Sequence, residues 1–530
     1  MTNMHTLLAQ RPARAALLLA LAAALPTWTA AAMPAERIIQ LGLPELRAAL
    51  DAGTLNSAEL VAAYLQRIES VDRAPGGPRA VLAVNTAALE QARAWDAAQR
   101  TRQGSGAPRN APLAGIPFLA KDNFDAVGMP NTGGSLALAQ SVPASNAFVV
   151  QRLLDQGAIL LGKTNLSELA ASYGWYGYSA VGGQTLNPFN PLRTADGSSS
   201  GSAAAVAARL APFALGTDTT GSIRAPASVT GTVGMRATMG LVSRAGIIPM
   251  SLTADAAGAI TRSVADQAIV LAAIQAEDKG DASTQGMARP QQPLATGLAS
   301  ATLAGRRIAV VENFDGGNPE VDAIQRSAVA AMEKAGAQIV RIRLPKVYET
   351  LQPAVLGPIG LAEFRPQFEA YLAGLPAGQP RDLREFMARL EGLTDKGTRT
   401  INPGRYKGLQ ENLDTRSTDS PEYIRLLSVV LPALRRELAE LMESGRYDAL
   451  VYPTLACTAP VVPGKADPNF VCKAYAYAAG KISPTTGFPE ITVNAGMAAG
   501  RLPVGVSFLG RPGDDAKVLE IAAAFERLKQ

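Results

Sequence analysis

The sequence predicts an α/β fold: one large domain whose central mixed β-sheet is covered by helices. Three observations predict it. Short apolar runs of strand type alternate with helix-type stretches along most of the chain, the pattern of a sheet layered by helices. The composition is that of a folded protein, with 47% hydrophobic and 18% charged residues and no excess of glycine or proline (49 and 36 of 530). Strand-like runs near the C-terminus read as returns to the same sheet. This last observation favours one domain, although 530 residues leave room for several. The polar stretch 277–302 would suit either an interdomain linker or a surface excursion within that one domain.

Residues 1–32 read as a cleavable signal peptide. Arg11 and Arg14 supply a basic start, residues 15–25 form an apolar run of 11, Pro26 breaks it, and Ala30-Ala31-Ala32 offers a cleavage site. The run is shorter than the about 20 residues a membrane span requires, so no stable membrane anchor is expected. The mature domain is then 33–530, placed in the periplasm or secreted.

Two helices are expected over 44–72. Pro44 suits the start of the first and Ser57 the cap of the second, in which Leu60, Val61, Tyr64, Leu65 and Ile68 share one face. Residues 101–112 are a polar Gly/Pro-rich loop. A buried strand is expected at 113–120, then a helix at 146–156 and a strand at 158–161. The same alternation gives a helix at 203–209 and a strand at 213–215. It returns as a strand at 308–311, a helix at 321–335 and a strand at 338–342. Further strands are expected at 449–452 and 504–509.

Charge and histidine content exclude several functions. The net charge of +5 is small for this length and argues against a nucleic-acid partner. Residues 1–32 carry two arginines, no acidic residue and the single histidine, His5, so the mature chain has a charge of +3 (48 basic against 45 acidic) and no imidazole. A Ser-His-Asp triad, a Cys-His dyad and any histidine-ligated metal are thereby excluded. Cys457 and Cys472, with 14 residues between them, are too far apart for close zinc-ligand spacing. In an oxidising compartment they are expected to form a disulfide. No metal and no cofactor is expected.

The most unusual stretch runs from Gly197 to Gly231. Gly197-Ser-Ser199-Ser-Gly201 fits the G-x-S-x-G nucleophile elbow, but that elbow needs a histidine base. No lysine follows a serine by three positions, which excludes the S-x-x-K arrangement, and no Gly-rich phosphate loop occurs here. Alone, Ser198 would read as a helix cap, Ser222 as a turn hydroxyl and the Gly/Ser run as a linker. A serine nucleophile without histidine can use a lysine kept neutral by burial. Lys121 emerges from the apolar run Gly115-Ile-Pro-Phe-Leu-Ala120 and precedes Asp122 and Asn123.

Three motifs, in order, carry a resemblance to the amidase signature family: Gly115-Ile-Pro-Phe-Leu-Ala-Lys121-Asp-Asn123, Gly197-Ser-Ser-Ser-Gly-Ser202 and Gly216-Thr-Asp-Thr-Thr-Gly-Ser222-Ile-Arg-Ala-Pro226. They are separated by 77 residues from Lys121 to Ser198 and 24 from Ser198 to Ser222. Leu160-Leu-Gly-Lys-Thr-Asn-Leu-Ser-Glu168 and Gly231-Thr-Val-Gly-Met-Arg-Ala-Thr238 are also similar to it, and the likeness covers roughly residues 36 to 525. The resemblance implies the amidase-signature fold and hydrolysis of linear amides to a carboxylic acid and ammonia or an amine. It implies Ser222 as nucleophile, Ser198 as bridging serine on a cis peptide bond and Lys121 as base. The backbone N–H groups of Thr219, Thr220, Gly221 and Ser222 would form the oxyanion hole. Ser199 is expected to position the serine turn, and Asp218 and Arg224 to bond the surrounding loop.

The chain departs from the family pattern at Ser200, Thr220 and Arg236. With Gly246-Ile-Ile-Pro-Met250 downstream, it looks closest to the peptide amidase branch, which removes C-terminal amides. The expected partner is thus a small-molecule or peptide amide. Two other readings are an amidotransferase subunit of the same family, acting on glutaminyl-tRNA with cytosolic partners, and a non-catalytic periplasmic binding protein. The signal peptide opposes the first; intact Lys121, Ser198 and Ser222 oppose the second.

Overall fold

The structure is a computed structural model that describes residues 33–100, 111–289, 294–393, 400–414 and 418–529. The expected signal peptide, 1–32, and most of the expected loop, 101–110, lie outside the described residues.

Eleven strands form one mixed sheet. In chain order they are β1 (Val81–Val84), β2 (Pro117–Lys121), β3 (Ile159–Thr164), β4 (Ala214–Asp218), β5 (Val233–Arg236) and β6 (Ala256–Thr261), followed by β7 (Arg307–Val311), β8 (Gln338–Ile342), β9 (Ala449–Pro453), β10 (Glu490–Ala498) and β11 (Leu502–Leu509). Their order across the sheet is β1-β3-β2-β4-β6-β5-β10-β11-β9-β7-β8. β2 pairs in parallel with both β3 and β4, and β7 does so with both β8 and β9; the other pairings are antiparallel.

The central strands are buried along their whole length, which explains why they read as continuous apolar runs rather than alternating ones. Helices Ser57–Arg67, Val264–Ile274 and Asp515–Arg527 contribute to the main apolar core. Helix Ser200–Ala207 is made of small residues and is buried nearly all round. Close approach requires this: a Cβ on Gly201 would lie 2.5 Å from the carbonyl oxygens of Ala80 and Asn165. The polar stretch around residue 280 is a surface excursion of the one domain, tied down where Asp281 pairs with Arg244 at 2.5 Å.

One local expectation needs correction. Asn56, not Ser57, caps helix Ser57–Arg67. Its side chain accepts the Glu59 N–H at 2.9 Å, and the Glu59 carboxylate accepts the Asn56 N–H at 3.0 Å. This reciprocal pair satisfies two helix-end donors at once. Ser57 is buried instead and donates its hydroxyl to the Gly115 carbonyl at 2.6 Å. Among the described residues, no helix is long and apolar enough to cross a membrane.

Candidate active site

β2 and β4 are parallel neighbours, with Ala120 opposite Leu215, so their carboxyl ends open at the same sheet edge. Open α/β sheets place their ligand sites at such an edge. Lys121 is the last residue of β2, and Thr217 and Asp218 end β4. The serine turn, 197–199, leads into helix Ser200–Ala207, which packs against β4. The fold thereby brings the first two motifs into contact. Lys121 is fully buried and donates Nζ to Ser198 Oγ and to Thr217 Oγ1, both at 2.7 Å. Asn123 Nδ2 also donates to Thr217 Oγ1, at 3.1 Å. The Gly197–Ser198 peptide is cis.

A second buried lysine, Lys163, belongs to a neighbouring motif, but its surroundings differ. Its Nζ pairs with Asp122 Oδ1 at 3.0 Å and donates to the carbonyl of Phe124 at 2.8 Å. It is thus an ion-paired strut beneath the site. Among the described residues, no carboxylate lies within 4.0 Å of Lys121, which meets hydroxyls only. Burial therefore pulls its ammonium down to about 7, against the opposing pull of Asp218 and Asp255. Removing a charge from water disfavours it unless a counter-charge compensates.

The third motif joins the other two through Ser199. Its hydroxyl donates to the Thr217 carbonyl at 3.1 Å and accepts the Thr217 N–H at 3.2 Å, and its N–H donates to the Ser222 carbonyl at 3.2 Å. Ser222 is half-buried and stands two residues before helix Arg224–Thr230.

Asp218 organises this turn. Its carboxylate accepts the N–H groups of Gly221 (2.8 Å) and Ile223 (3.2 Å) and a bidentate pair from Arg224 (2.9 and 3.0 Å). Arg224 also reaches Glu490 Oε2 at 2.5 Å. Burial alone would raise the Asp218 carboxyl, but Arg224 and Arg236 hold it well below the usual carboxylate range.

Four amides are candidates for an oxyanion hole. That of Gly221 is taken by Asp218, whereas no acceptor among the described residues takes the N–H of Thr219, Thr220 or Ser222. Gly221 has φ of +117°, a conformation that side-chain-bearing residues rarely adopt.

Asp255 and Lys481 join the site without a signal in the sequence, and Thr217, although it lies within the third motif, has no role that the motif alone discloses. Thr219 Oγ1 donates to Asp255 Oδ1 at 2.6 Å, and Lys481 Nζ donates to the Thr220 carbonyl at 2.5 Å. Burial pulls Lys481 down to about 8, with Arg224 adding to the effect. Beside Lys121 and Thr217 lies a small pocket whose lining includes Asn123, Thr217, Thr219, Ile247, Ile248 and Met250, with Arg244 and Asp255. Away from it, Cys457 and Cys472 form a disulfide with Cα atoms 5.4 Å apart.

The chain matches the family model described as Amidase over residues 59–519. Its structure is similar to that of native peptide amidase from Stenotrophomonas maltophilia, with a TM-score of 0.81 and 36% identity over 92% of this chain and 96% of that one. The chain is 34% identical to mandelamide hydrolase of Pseudomonas putida, over 93% of this chain and 92% of the relative. It is also 34% identical to a glutamyl-tRNA(Gln) amidotransferase subunit from Symbiobacterium thermophilum, over 90% and 94% respectively. With the family model covering most of its length, this chain belongs to the amidase signature family and is an amidase, a hydrolase of amide C–N bonds.

Proposed function

We propose that this hydrolase cleaves linear carboxamides through an acyl-enzyme on Ser222, and that its substrates are C-terminal amides of peptides. One observation carries the mechanism: a fully buried lysine, free of any carboxylate partner among the described residues, donates to Ser198 Oγ at 2.7 Å. Neutral Lys121 draws the proton of Ser198, and Ser198 in turn takes that of Ser222. Ser222 Oγ then attacks the amide carbonyl carbon. The negative charge that develops on the carbonyl oxygen is met by the N–H groups of Thr219, Thr220 and Ser222. As the C–N bond breaks, the relayed proton returns to the leaving nitrogen, which departs as ammonia or an amine. Water, deprotonated through the same relay, releases the carboxylic acid and restores Ser222.

The apolar wall of Ile247, Ile248 and Met250 suits an apolar acyl group, and the likeness to peptide amidase supports the peptide reading. We also propose that residues 1–32 export the chain, in keeping with the Cys457–Cys472 disulfide. Identity to the amidotransferase subunit favours a second reading, action within a tRNA-dependent complex. Ammonia release by the purified protein from a panel of peptide amides and simple carboxamides separates the two. The account predicts turnover of peptide amides by this chain on its own. Wild-type turnover in a folded Ser222→Ala variant would sink the mechanism.

A further inference from the structure

The peptide planes of the nucleophile turn are gripped from three sides. In a trans peptide the C=O and N–H point in opposite directions, so the partner of each carbonyl sets where the following N–H aims. The Asp218 carbonyl accepts from Arg236 Nη1, which turns the Thr219 N–H away from that arginine. The Gly221 carbonyl accepts the Ala225 N–H at 2.8 Å, which turns the Ser222 N–H away from the helix that follows. The Thr220 carbonyl accepts Lys481 Nζ at 2.5 Å, which turns the Gly221 N–H onto Asp218 Oδ1 at 2.8 Å. This last plane and the next both adjoin Gly221, at φ of +117°; the next is held by a backbone N–H, this one by a side chain. The cation that stops it lies 259 residues downstream of Ser222.

Lys481 is well placed for the task. It is only 5% exposed and ends the short turn Ala479–Lys481, where the Gly480 carbonyl accepts Arg224 Nη2 at 2.9 Å. Its ammonium lies 5.7 Å from the centre of the Tyr477 ring. Tyr477 donates its hydroxyl to Asp196 Oδ2 at 2.9 Å, and Asp196 Oδ1 accepts the Gly197 N–H at 2.6 Å. One segment, 477–481, therefore holds both the nucleophile turn and the residue that precedes the cis Gly197–Ser198 bond.

Resting on the acyl-enzyme reading above, we propose that Lys481 is a positioning residue for the reaction. It locks the Thr220–Gly221 peptide so that Ser222 and the free N–H groups beside it stay aligned on the developing oxyanion. It touches a backbone carbonyl rather than substrate, so its loss acts on kcat and leaves KM in place. Loss of an oxyanion donor slows an enzyme by about 100- to 1,000-fold, and loss of a donor's support costs less, about 10- to 100-fold.

The test compares full-length wild type with Lys481→Met, which keeps the stem without the donor, and Lys481→Gln, which keeps an N–H donor. Steady-state hydrolysis of a peptide amide is measured with the rate at which a fluorophosphonate labels Ser222. Lys481→Met is expected to lose about 10- to 100-fold in kcat, with KM within about twofold and a matching loss in labelling rate; Lys481→Gln is expected to regain most of both. A Lys481→Met enzyme with wild-type kcat, a loss confined to KM, or no recovery in Lys481→Gln would overturn the proposal. Should Lys481→Met fail to fold, the Lys481→Gln rate decides: kcat and labelling near wild type support the role, and a loss equal to that expected for methionine overturns it. Turnover surviving in Ser222→Ala would be a different result, overturning the acyl-enzyme reading itself.

Discussion

Acidification should switch this enzyme off through Lys121. The lysine acts as a base only when neutral, and burial brings its pKa from 10.5 to about 7. At neutral pH an ordinary lysine would be neutral in only about one chain in 3,000, whereas here about half the chains hold the free amine. Below the midpoint the rate should fall about tenfold per pH unit, to roughly 9% of the plateau one unit down and roughly 1% two units down. The assay is kcat/KM for ammonia release from a peptide amide between about pH 5 and pH 9, since this ratio reports the free enzyme.

Asp196, which burial also pushes to about 7, could give a similar limb. The two are separated by Asp255→Asn. Asp255 favours the charged form of Lys121, so its neutralisation should move the limb to lower pH. A flat profile across this range, or a midpoint near that of a free lysine, would refute the reasoning.

Two further predictions concern stability. The native state releases the Lys121 proton at about 7 and the unfolded chain at 10.5. Between these values the unfolded chain binds one more proton, so the contribution of this group to stability rises with pH. Lys121→Met should therefore be inactive yet more stable than wild type below about pH 7, by about 2–4 kcal/mol after the loss of two hydrogen bonds, with the gap narrowing toward pH 10. Guanidinium unfolding as a function of pH checks this, and a variant no more stable than wild type at pH 6 would contradict it. Arg224→Met should leave the buried carboxylates of Asp218 and Glu490 without their bridging cation and cost about 3–5 kcal/mol. A loss below about 1 kcal/mol in the same measurement would show that Arg224 does not hold the turn.

Much of the architecture was legible in the sequence because the strands around the site, β2, β3 and β4, are buried on both faces and read as apolar runs. Strands β5 and β6 were not, since Val-Gly-Met-Arg and Ala-Ala-Gly-Ala-Ile-Thr carry too few large apolar residues to stand out. The three motifs placed Lys121, Ser198 and Ser222, and the absence of histidine from 33–530 narrowed the base to a lysine. Sequence alone could not separate Lys121 from Lys163 by their surroundings, because both follow apolar runs. The difference is the carboxylate of Asp122, which folds onto Lys163 and not onto Lys121. Lys481, and the role of Thr217 within the third motif, were missed for another reason: their contacts are made across the fold, between residues 96 and 261 positions apart. Local pattern carries no trace of such pairs. Nor could it show that Gly221, nominated with its neighbours, gives its N–H to Asp218.

The central claim is a covalent intermediate on Ser222, generated by a proton relay through Ser198 to Lys121. The most direct measurement is peptide mapping by mass spectrometry after reaction with a fluorophosphonate, on wild type and on Lys121→Met. The account predicts a single adduct, on Ser222, in the wild type, and labelling slowed by at least about 100-fold when the base is removed. An adduct on another serine, or undiminished labelling of Ser222 without Lys121, would contradict it.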